Sequence, residues 1–471
     1  MSFNRSDLAL PEFEDWASTL LKSHQIPGTI VALARDGHLI YSQGFGYADV
    51  EQSRAIDEQT IFGIGSVTKS FTALAVMQLE EQGLLSVSDP VQLYIPKFRT
   101  LNWEYSRATT LHHLLTHTAG LPMYDTELLV TAGTLNATEL KMIRPALDKH
   151  GAIQNMDELV EFIADSGIAL VGAPGEHMSY ANDGYALLGS VIERVSGMPY
   201  ADFIQKTILD PLGMSRTTLS PDKYRQYDNV AALYAKEPTT EGAAVVPSPN
   251  LWYSPVHGAA GIFLNTCVRD MIQYLEVFRT GGTVGGRRIV SERSVKKILS
   301  QHVSIVPGHS YGYGMSIHDD FYGHMLYEHG GGAKGVSSEV ALIPELGLTA
   351  VALSNLAGAP SGPVLMGAIH ALHGTNPQRA LEPTPGAEAD RALEKYAGAY
   401  ANGDKVATVT LVDGQLMLTV SGMHVELKPS EDGVVQATHQ GQPWEVHFLF
   451  DRQDGKRVSA INIHLRHYNR V

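Results

Sequence analysis

A single change of composition divides this sequence into two regions that must fold differently. Residues 374–392, GTNPQRALEPTPGAEADRA, combine three prolines with mixed charges, which is typical of a linker. Before this segment, runs with helical periodicity alternate with runs typical of strands. After it, short strand-like runs are separated by turn pairs at spacings of about ten residues, a pattern that favours a small barrel or sandwich. The sequence therefore predicts an α/β domain followed by an all-β domain.

The first region contains two distant segments that are predicted to share a sheet. Residues 28–47 have the pattern of two strands joined by a turn at Asp36-Gly37. Two more strand-like runs lie within 336–355. We expect the hairpin and these runs to form one antiparallel sheet flanked by helices, with residues 110–210 mostly helical.

Bulk composition limits the class of protein. The chain has 471 residues, of which 44% are hydrophobic, and a formal net charge of −15. It can therefore bury a substantial core, and its charge disfavours binding to nucleic acid or to anionic membranes. The N-terminus lacks a signal-like apolar segment and no long apolar run occurs, which predicts a cytoplasmic enzyme. Cys267 is the only cysteine, and its apolar neighbours predict a buried and inert thiol.

The stretch GIGSVTKS at 63–70 leaves two alternatives. A phosphate-binding loop of the Walker type needs glycine directly before the lysine, and here that position is Thr68. The other alternative is a nucleophile at the start of a helix. Ser66 and Lys69 are three positions apart, so their side chains would share one helix face. Burial and the positive helix end would keep Lys69 neutral part of the time, so that it accepts the serine proton. Gly65 would permit a sharp turn before the serine.

Two further elements offer the groups that such a nucleophile requires. Tyr180 and Asn182 precede a helical run and could place a phenol and a carboxamide in one cleft. Residues 329–332, HGGG, have the pattern of a glycine-rich edge strand that a substrate can approach closely. Taken singly, each element also fits a loop, a helix cap or a glycine turn, so the assignment depends on all three together.

With these three elements in order, the chain resembles the serine β-lactamase and penicillin-binding-protein superfamily. Within it, the similarity is to the group of class C enzymes, family VIII-type esterases and D-aminopeptidases. Stretches such as LLTHTAGLP (114–122) and DPLGMSRT (210–217) extend the likeness. The resemblance implies a β-lactamase-like α/β (α+β) fold over residues 1–373, in which an antiparallel sheet is flanked by helices beside an α-rich subdomain.

The region after the linker, residues 393–471, is similar to the lipocalin-like β-barrels that some peptidases of this group carry. The similarity lies mainly in KYAGAYANGD near 395–404. In those relatives the barrel shapes the entrance of the active site or mediates assembly. A barrel that serves only oligomerisation or solubility fits the pattern equally well.

The resemblance also implies roles for single residues. Ser66 would be the acylated nucleophile, with Lys69 and Tyr180 sharing the roles of base and proton donor. The backbone N–H groups of Ser66 and Gly332 would form the oxyanion hole. The substrate-binding residues would be Asn182, His329, Gly331 and Gly332.

No metal or organic cofactor is expected. His113 and His117 have the spacing of an H-x-x-x-H pair, but a zinc hydrolase of the H-E-x-x-H type would need glutamate at Leu114. We expect these histidines to pack or to form hydrogen bonds within the hydrolase domain.

His329 stands where penicillin-handling relatives have the lysine of K-T-G. H-x-G at this place resembles esterases and D-aminopeptidase-like peptidases, which argues against efficient β-lactamase activity. Because histidine titrates near neutrality, its recognition of anions is expected to weaken above about pH 7.

The expected function is hydrolysis through a seryl acyl-enzyme, first of small peptides or amides that include D-residues and second of small carboxylic esters. The rival of another class is a catalytically silent scaffold. The expected partners are the small substrate and other copies of the chain in a homo-oligomer, with neither nucleic acid nor membrane.

Overall fold

The structure of the chain is a computed structural model. It describes residues 8–124, 126–135, 137–239, 242–248, 253–381, 393–429, 435–439, 442–444, 446–451 and 457–471. Part of the predicted linker, residues 382–392, lies outside the described residues. Three of the turn pairs that separate the strand-like runs of the second region also lie outside the described residues, namely Asp432-Gly433, Gln440-Gly441 and Asp454-Gly455.

Helices cover the central sheet and dominate the region between residues 110 and 210, as expected. The α-helices of the described residues are α1 (Pro11–Ser23), α2 (Thr68–Glu81), α3 (Val91–Tyr94), α4 (Trp103–Ala108), α5 (Leu111–Leu115), α6 (Thr126–Val130), α7 (Ala137–His150), α8 (Met156–Asp165), α9 (Asn182–Ser196), α10 (Tyr200–Ile204), α11 (Asp210–Leu212), α12 (Pro221–Tyr224), α13 (Val268–Arg279), α14 (Glu292–Ile298) and α15 (Ser361–Leu372). None of these helices combines the length and the apolar character needed to cross a membrane.

Most strands belong to a large sheet in the first region or to a second sheet after the linker, and three short pairs stand apart. In chain order they are β1 (Gly28–Arg35), β2 (His38–Asp49), β3 (Arg54–Ala55), β4 (Phe62–Gly63), β5 (Tyr234–Thr239), β6 (Gly242–Pro247), β7 (Asn265–Thr266), β8 (Thr283–Val284), β9 (Arg287–Arg288), β10 (Val303–Val306), β11 (His309–Tyr311), β12 (Ser316–Phe321), β13 (His324–Ala333), β14 (Val336–Ile343), β15 (Leu348–Ser354), β16 (Gly398–Asn402), β17 (Lys405–Val412), β18 (Gln415–Val420), β19 (Met423–Pro429), β20 (Val435–His439), β21 (Gln442–Pro443), β22 (Val446–Phe450), β23 (Val458–Ile463) and β24 (Arg466–Arg470). The large sheet has the order β10-β11-β12-β13-β14-β15-β1-β2-β3, and the short pairs are β4-β7, β5-β6 and β8-β9.

The predicted pairing of two distant segments is confirmed. β1 is antiparallel to β15, with Val31 opposite Ala352, and β14 pairs with the other side of β15. The side chains of β1 are buried on both faces, because α1 and α15 pack on one face and α2 and α13 on the other. A strand that is covered on both faces is expected to be continuously apolar, as TIVALA is.

The glycine-rich segment lies at the end of a strand that is internal to the sheet, so the expected free edge is confined to this segment. β13 lies between β12 and β14 in the sheet. Its pairing with β12 ends at Glu328, which lies opposite Ser316, and the described residues 329–333 pair only with β14. One side of this last part of β13 is therefore left for a substrate, because the neighbouring strand is too short to cover it.

The C-terminal region forms a nearly closed antiparallel barrel, in agreement with the sequence pattern. Its strands have the order β21-β20-β19-β18-β17-β16-β24-β23-β22, and β20 approaches β22. The stretch KVATVTLV-DG-QLMLTV (405–420) has the sequence pattern of a hairpin and forms one, as β17 and β18. Side chains that alternate along the strands fill the interior, among them Tyr400, Val409 and Leu418.

Candidate active site

The predicted nucleophile and lysine meet at the start of α2. A 3₁₀ turn, Gly65–Val67, leads directly into this helix, so Ser66 and Lys69 lie on one face of a continuous helical segment. Lys69 Nζ lies 3.1 Å from Ser66 Oγ and also bonds the carbonyl oxygen of Ala260. The serine hydroxyl thus has an amine within hydrogen-bond distance, which is the contact needed for removal of its proton.

Burial determines the protonation of Lys69. Its exposed fraction is 0%, and the loss of hydration lowers the pKa of Lys69 to about 7. Smaller electrostatic effects act in both directions, since Glu127 and Asp183 raise this pKa and Arg466 lowers it. An amine with a pKa near 7 is neutral in about half of the molecules at neutral pH, so it can accept the serine proton.

Two glycines allow the nucleophile turn and β13 to approach closely. Gly65 has a φ of +50°, and a Cβ at this position would lie 2.6 Å from the backbone nitrogen of Gly332. A Cβ at Gly331 would collide with the carbonyl oxygen of Ile64. A side chain at either position would push the two backbones apart. The turn predicted at Gly65 is confirmed, and the backbone N–H of Gly332 lies beside the nucleophile turn.

Tyr180 lies across the site from Lys69. The distance from Lys69 Nζ to the centre of the Tyr180 ring is 4.8 Å. The phenol hydroxyl faces Ser66 without forming a hydrogen bond of ordinary length to a described residue. Burial raises the pKa of Tyr180 above its ordinary value, and Ser66 and Arg466 offset only part of this rise. The phenol is therefore protonated at neutral pH and is suited to donate a proton.

His117 supports Tyr180 from behind. The two ring centres are 4.2 Å apart, and His117 Nδ1 accepts a hydrogen bond of 3.2 Å from the backbone N–H of Ala181. Burial lowers the pKa of His117, and the charge of Lys69 adds to this effect, so the ring stays neutral. The expectation that this histidine packs and forms hydrogen bonds is confirmed.

His329 lines the site, but its ionisation differs from the prediction. Its exposed fraction is 5%, and burial, together with the charge of Lys69, lowers the pKa of His329 to about 4. Nδ1 donates to the carbonyl oxygen of Gly330 at 2.6 Å, which leaves Nε2 to accept from the hydroxyl of Tyr311 at 3.0 Å. The ring is neutral at pH 7, so the expected anion-binding histidine that titrates near neutrality is wrong. The physical reason is desolvation.

On the other side of Ser66, Asn182 contacts a carboxylate that no sequence motif indicates. Asn182 is the first residue of α9, and its Nδ2 donates to Glu127 of α6. Its Oδ1 is buried and accepts no hydrogen bond from a described residue. The next residue, Asp183, accepts a hydrogen bond of 2.6 Å from Thr126 Oγ1, which fixes the ends of α6 and α9 to each other.

The C-terminal barrel contributes a wall of the site. The turn between β23 and β24 has positive φ at His464 and Leu465, and the Leu465 carbonyl oxygen accepts a hydrogen bond of 3.0 Å from the backbone N–H of Tyr180. Arg466 follows, with its guanidinium carbon 5.5 Å from the centre of the Tyr180 ring. Its Nε is buried and bonds no described residue. A barrel that serves only solubility or oligomerisation does not account for these contacts.

Side-chain amides fix the barrel to the hydrolase domain. Asn402 Oδ1 accepts from the backbone N–H of Met123 at 2.7 Å, while its Nδ2 donates to Ser179 Oγ at 3.0 Å. Asn469 Nδ2 donates to the carbonyl oxygen of Val171 at 2.7 Å. The bond to Ser179 lies next to Tyr180 in the chain, so it helps to hold the barrel turn in position at the site.

Ser66 lies between two spaces that differ in size and charge. The large cavity, of about 740 Å³, is bounded by both domains, and Tyr180, His329 and Arg466 belong to its wall. The small cleft, of about 20 Å³, has Glu127 and Asn182 in its wall. Tyr180 lines the large cavity and Asn182 lines the small cleft, and Ser66 belongs to the wall of both. Four carboxylates also line the large cavity, namely Asp319, Asp320, Glu328 and Glu339.

The residues predicted from sequence surround one nucleophile, but three functional candidates were missed. The predicted group comprises Ser66, Lys69, Tyr180, Asn182, His329, Gly331 and Gly332. Glu127 and Arg466 carry charge next to the nucleophile, and His117 positions Tyr180. Glu127 and Arg466 belong to no motif, whereas the stretch LLTHTAGLP already contained His117.

Other side chains that could react or bind a metal lie apart from this site or do not form a cluster. Cys267 is a free, buried thiol as expected, and burial, with a contribution from Asp270, raises its pKa to about 12. Among the residues that the structure describes, no three His, Cys, Asp or Glu side chains are grouped so that they could hold a metal ion.

Comparisons of sequence identify a family and several relatives. Residues 13–373 match the family model described as Beta-lactamase. Penicillin-binding protein 4* of Bacillus subtilis (strain 168) is 29% identical over 428 residues, which cover 88% of each chain. Esterase EstB of Burkholderia gladioli is 29% identical over 276 residues, which cover 55% of this chain and 67% of the esterase.

Comparisons of structure extend through the barrel. The octameric penicillin-binding protein homologue from Pyrococcus abyssi superposes with a TM-score of 0.69 at 29% identity, covering 98% of this chain and 100% of that one. A D-stereospecific amidohydrolase from Streptomyces sp. shares the fold, with a TM-score of 0.61 at 22% identity over 77% of this chain and 98% of that one. Because the family model spans most of its length, the chain belongs to the beta-lactamase family, within the serine hydrolase superfamily that includes the penicillin-binding proteins.

Proposed function

We propose that this protein is a serine amidohydrolase that cleaves small peptides or amides, including those with D-residues, through an acyl ester on Ser66. The contact between Lys69 Nζ and Ser66 Oγ, at 3.1 Å, carries the proposal. It joins a hydroxyl to an amine whose pKa burial has lowered to about 7. A buried amine of this kind has an evident use as a base and little use as a structural cation.

Acylation follows from the positions of these groups. Lys69 takes the proton of Ser66 while Oγ attacks the carbonyl carbon of the substrate. The backbone N–H groups of Ser66 and Gly332 stabilise the negative charge on the carbonyl oxygen. Tyr180 gives its proton to the leaving nitrogen as the C–N bond breaks, and the Lys69 ammonium then returns a proton to the phenolate.

Deacylation uses the same groups in the opposite sense. A water molecule attacks the ester carbon from the side that the amine has left, and Tyr180 with Lys69 takes up its proton. The proton returns to Ser66 Oγ as the C–O bond of the ester breaks, which restores the free enzyme and releases the carboxylic acid product.

The protonation of Tyr180 favours amides over esters as substrates. An amine leaving group must gain a proton before it departs, whereas an alcohol or phenol leaves more easily without one. The raised pKa keeps the phenol protonated beside Ser66 in the large cavity. The alternative is a carboxylesterase, which the similarity to Esterase EstB favours.

A substrate panel tests the reaction. Alanine p-nitroanilides of both configurations, short peptides and p-nitrophenyl esters are assayed with the wild type and with Ser66→Ala, and Ser70→Ala on the same helix serves as the matched control. We expect amide cleavage that Ser66→Ala abolishes. Ester cleavage alone would replace the amidase proposal with the esterase. A folded protein that cleaves nothing and forms no adduct between a fluorophosphonate and Ser66 would indicate a scaffold.

We propose that the protein assembles as a homo-oligomer, because the homologue from Pyrococcus abyssi that aligns over the whole chain is octameric. Sedimentation at several concentrations tests this, and a monomer throughout would contradict it. A cytoplasmic location stays a prediction from sequence, which cell fractionation tests.

A further inference from the structure

We propose that His257, anchored by Asp183, is a positioning residue that fixes a backbone carbonyl group against Lys69. The carbonyl is that of Ala260, and its contact directs Lys69 Nζ toward Ser66 Oγ. This inference rests on the proposed function only for the nucleophile and its base, so it holds for amide and ester substrates alike. It gives a role to a buried pair that the steps of acylation and deacylation leave unused.

His257 and Asp183 form a pair that is closed to solvent. Their side chains have exposed fractions of 0% and 2%, and His257 Nε2 lies 3.3 Å from Asp183 Oδ1. Because a carboxylate only accepts hydrogen bonds, Nε2 is the donor. Nδ1 of the ring is also buried and has no hydrogen-bond partner among the described residues. Within that part of the chain, the hydrogen bond to Asp183 is therefore what orients the ring.

The carboxylate of Asp183 is itself held in place by two helices. Asp183 stands in the first turn of α9, where the helix dipole favours a negative charge. Thr126 Oγ1 of α6 donates to the same Oδ1 at 2.6 Å. The imidazole of His257 is thus bonded to a group whose position is already fixed by the hydrolase domain.

The backbone of His257 organises the turn that follows it. Its carbonyl oxygen accepts hydrogen bonds of 3.0–3.2 Å from three backbone N–H groups, those of Ala260, Gly261 and Ile262. One acceptor thereby gathers three successive donors, which leaves this turn little freedom. A displacement of His257 would consequently displace the whole turn.

Two successive carbonyl groups of this turn bond side chains of α2. The oxygen of Ala259 accepts from Thr72 Oγ1 at 2.7 Å, and the oxygen of Ala260 accepts from Lys69 Nζ. With one N–H directed at a fixed carbonyl, the amine has little freedom to turn away from Ser66 Oγ, and proton transfer requires this alignment. A hydrogen bond from an ammonium is also stronger than one from a neutral amine. The Ala260 carbonyl therefore favours the protonated form of Lys69.

A purely structural role for the pair leads to a different expectation. If His257 only filled space in the core, replacing it would lower the stability without changing the ionisation of Lys69. If it positions the carbonyl, its replacement weakens the bond to the ammonium, the pKa of Lys69 falls, and the enzyme stays active to lower pH. The titratable groups that face Lys69 itself are all retained in variants of His257, namely Glu127, Asp183, Arg466, His117, His329, Tyr180 and Tyr185.

The test is the rate at which a fluorophosphonate labels Ser66, measured from about pH 5 to 9. His257→Phe keeps a flat ring without the donor to Asp183, and His257→Gln keeps an N–H donor. His370→Leu, at another buried histidine of the hydrolase domain, is the control. In His257→Phe we expect the midpoint of the pH–rate profile to lie about one pH unit lower, the effect of losing about one hydrogen bond. The plateau rate should be about 10-fold lower, because the amine is less well aligned. His257→Gln should restore most of both quantities, and His370→Leu should change neither.

Two results would overturn the positioning role: a midpoint in His257→Phe equal to that of the wild type, or an equal shift in His257→Gln. The midpoint does not depend on the amount of folded enzyme, so partial misfolding of a variant does not alter it. If His257→Phe does not fold, His257→Asn takes its place with the same expected shift, because its amide is too short to reach Asp183. Failure of the proposed function would look different, since the fluorophosphonate would then not label Ser66 of the wild type at any pH.

Discussion

The two spaces on either side of Ser66 are built from different parts of the chain and place opposite charges near Lys69. The small cleft belongs to the hydrolase domain alone, and Glu127 places a carboxylate there. The large cavity is shared with the barrel, which contributes the guanidinium of Arg466. Both charges act on Lys69, in opposite directions. The comparison indicates that burial sets most of the pKa of the proposed base, Lys69, and that Glu127 and Arg466 then raise and lower it.

The largest effect is expected from removing Ser66 Oγ, since Ser66 lines both spaces. Ser66→Ala should lower kcat/KM by on the order of 10⁴-fold or more, because no acyl ester can form. The melting temperature should stay close to that of the wild type, since the side chain fills little of the core. Steady-state rates and thermal unfolding check this, and substantial residual turnover would mean that another group is the nucleophile.

The second largest effect is expected from replacing Lys69, the amine on which the charges of both spaces act. Lys69→Met places an apolar side chain in the buried position and should reduce kcat by about 10²- to 10⁴-fold, which is typical of losing a required base. The wild-type rate should fall as the pH drops through about 7, because the ammonium form of Lys69 cannot accept a proton. A pH–rate profile checks the sign, and a variant with full activity would exclude the lysine from the mechanism.

The acidic limb of the pH–rate profile is the fall in rate below about pH 7. Replacing Glu127 or Arg466 singly should move this limb in opposite directions. Glu127→Gln removes a charge that raises the pKa of Lys69, so the limb should move to lower pH. Arg466→Met removes a charge that lowers it, so the limb should move to higher pH. The groups that face Lys69 are Glu127, Asp183, Arg466, His117, His329, Tyr180 and Tyr185.

The controls for this pair are exposed residues of the same charges, Glu161→Gln and Arg225→Met, which should leave the limb in place. If Glu127→Gln and Arg466→Met moved the acidic limb in the same direction, the opposite effects of the two charges on the pKa of Lys69 would be contradicted. An unchanged limb in both variants would mean that burial alone sets the pKa of Lys69.

The smallest effect is expected at His329. Its pKa is lowered to about 4, so the ring is neutral on both sides of pH 7. His329→Gln should therefore leave the shape of the pH–rate profile between about pH 5 and 8 unchanged, whatever it does to KM. If the profile changes shape, the ring of the wild type titrates in that range.

Sequence patterns located those contributions of the hydrolase domain that are local in the chain. The S-x-x-K spacing puts Ser66 and Lys69 one helical turn apart wherever α2 lies, and the HGGG stretch predicts a close backbone approach at Gly331. The ionisation of His329 was predicted wrongly, since an ordinary pKa ignores burial against the sheet. Glu127 could not be found, because its contact with Asn182 joins residues 55 positions apart.

The sequence by itself determined two things about this protein: the division into an α/β region and a β-barrel, and the pairing of the proposed nucleophile with its lysine. Both depend on periodicities and spacings within short stretches of chain. Only the tertiary structure decided which charges surround that nucleophile, because Arg466 reaches it from the far end of the chain through the docking of the barrel against Tyr180. Desolvation and long-range packing are properties of the folded chain, and they set the pKa of Lys69 and divided the site into two unlike spaces.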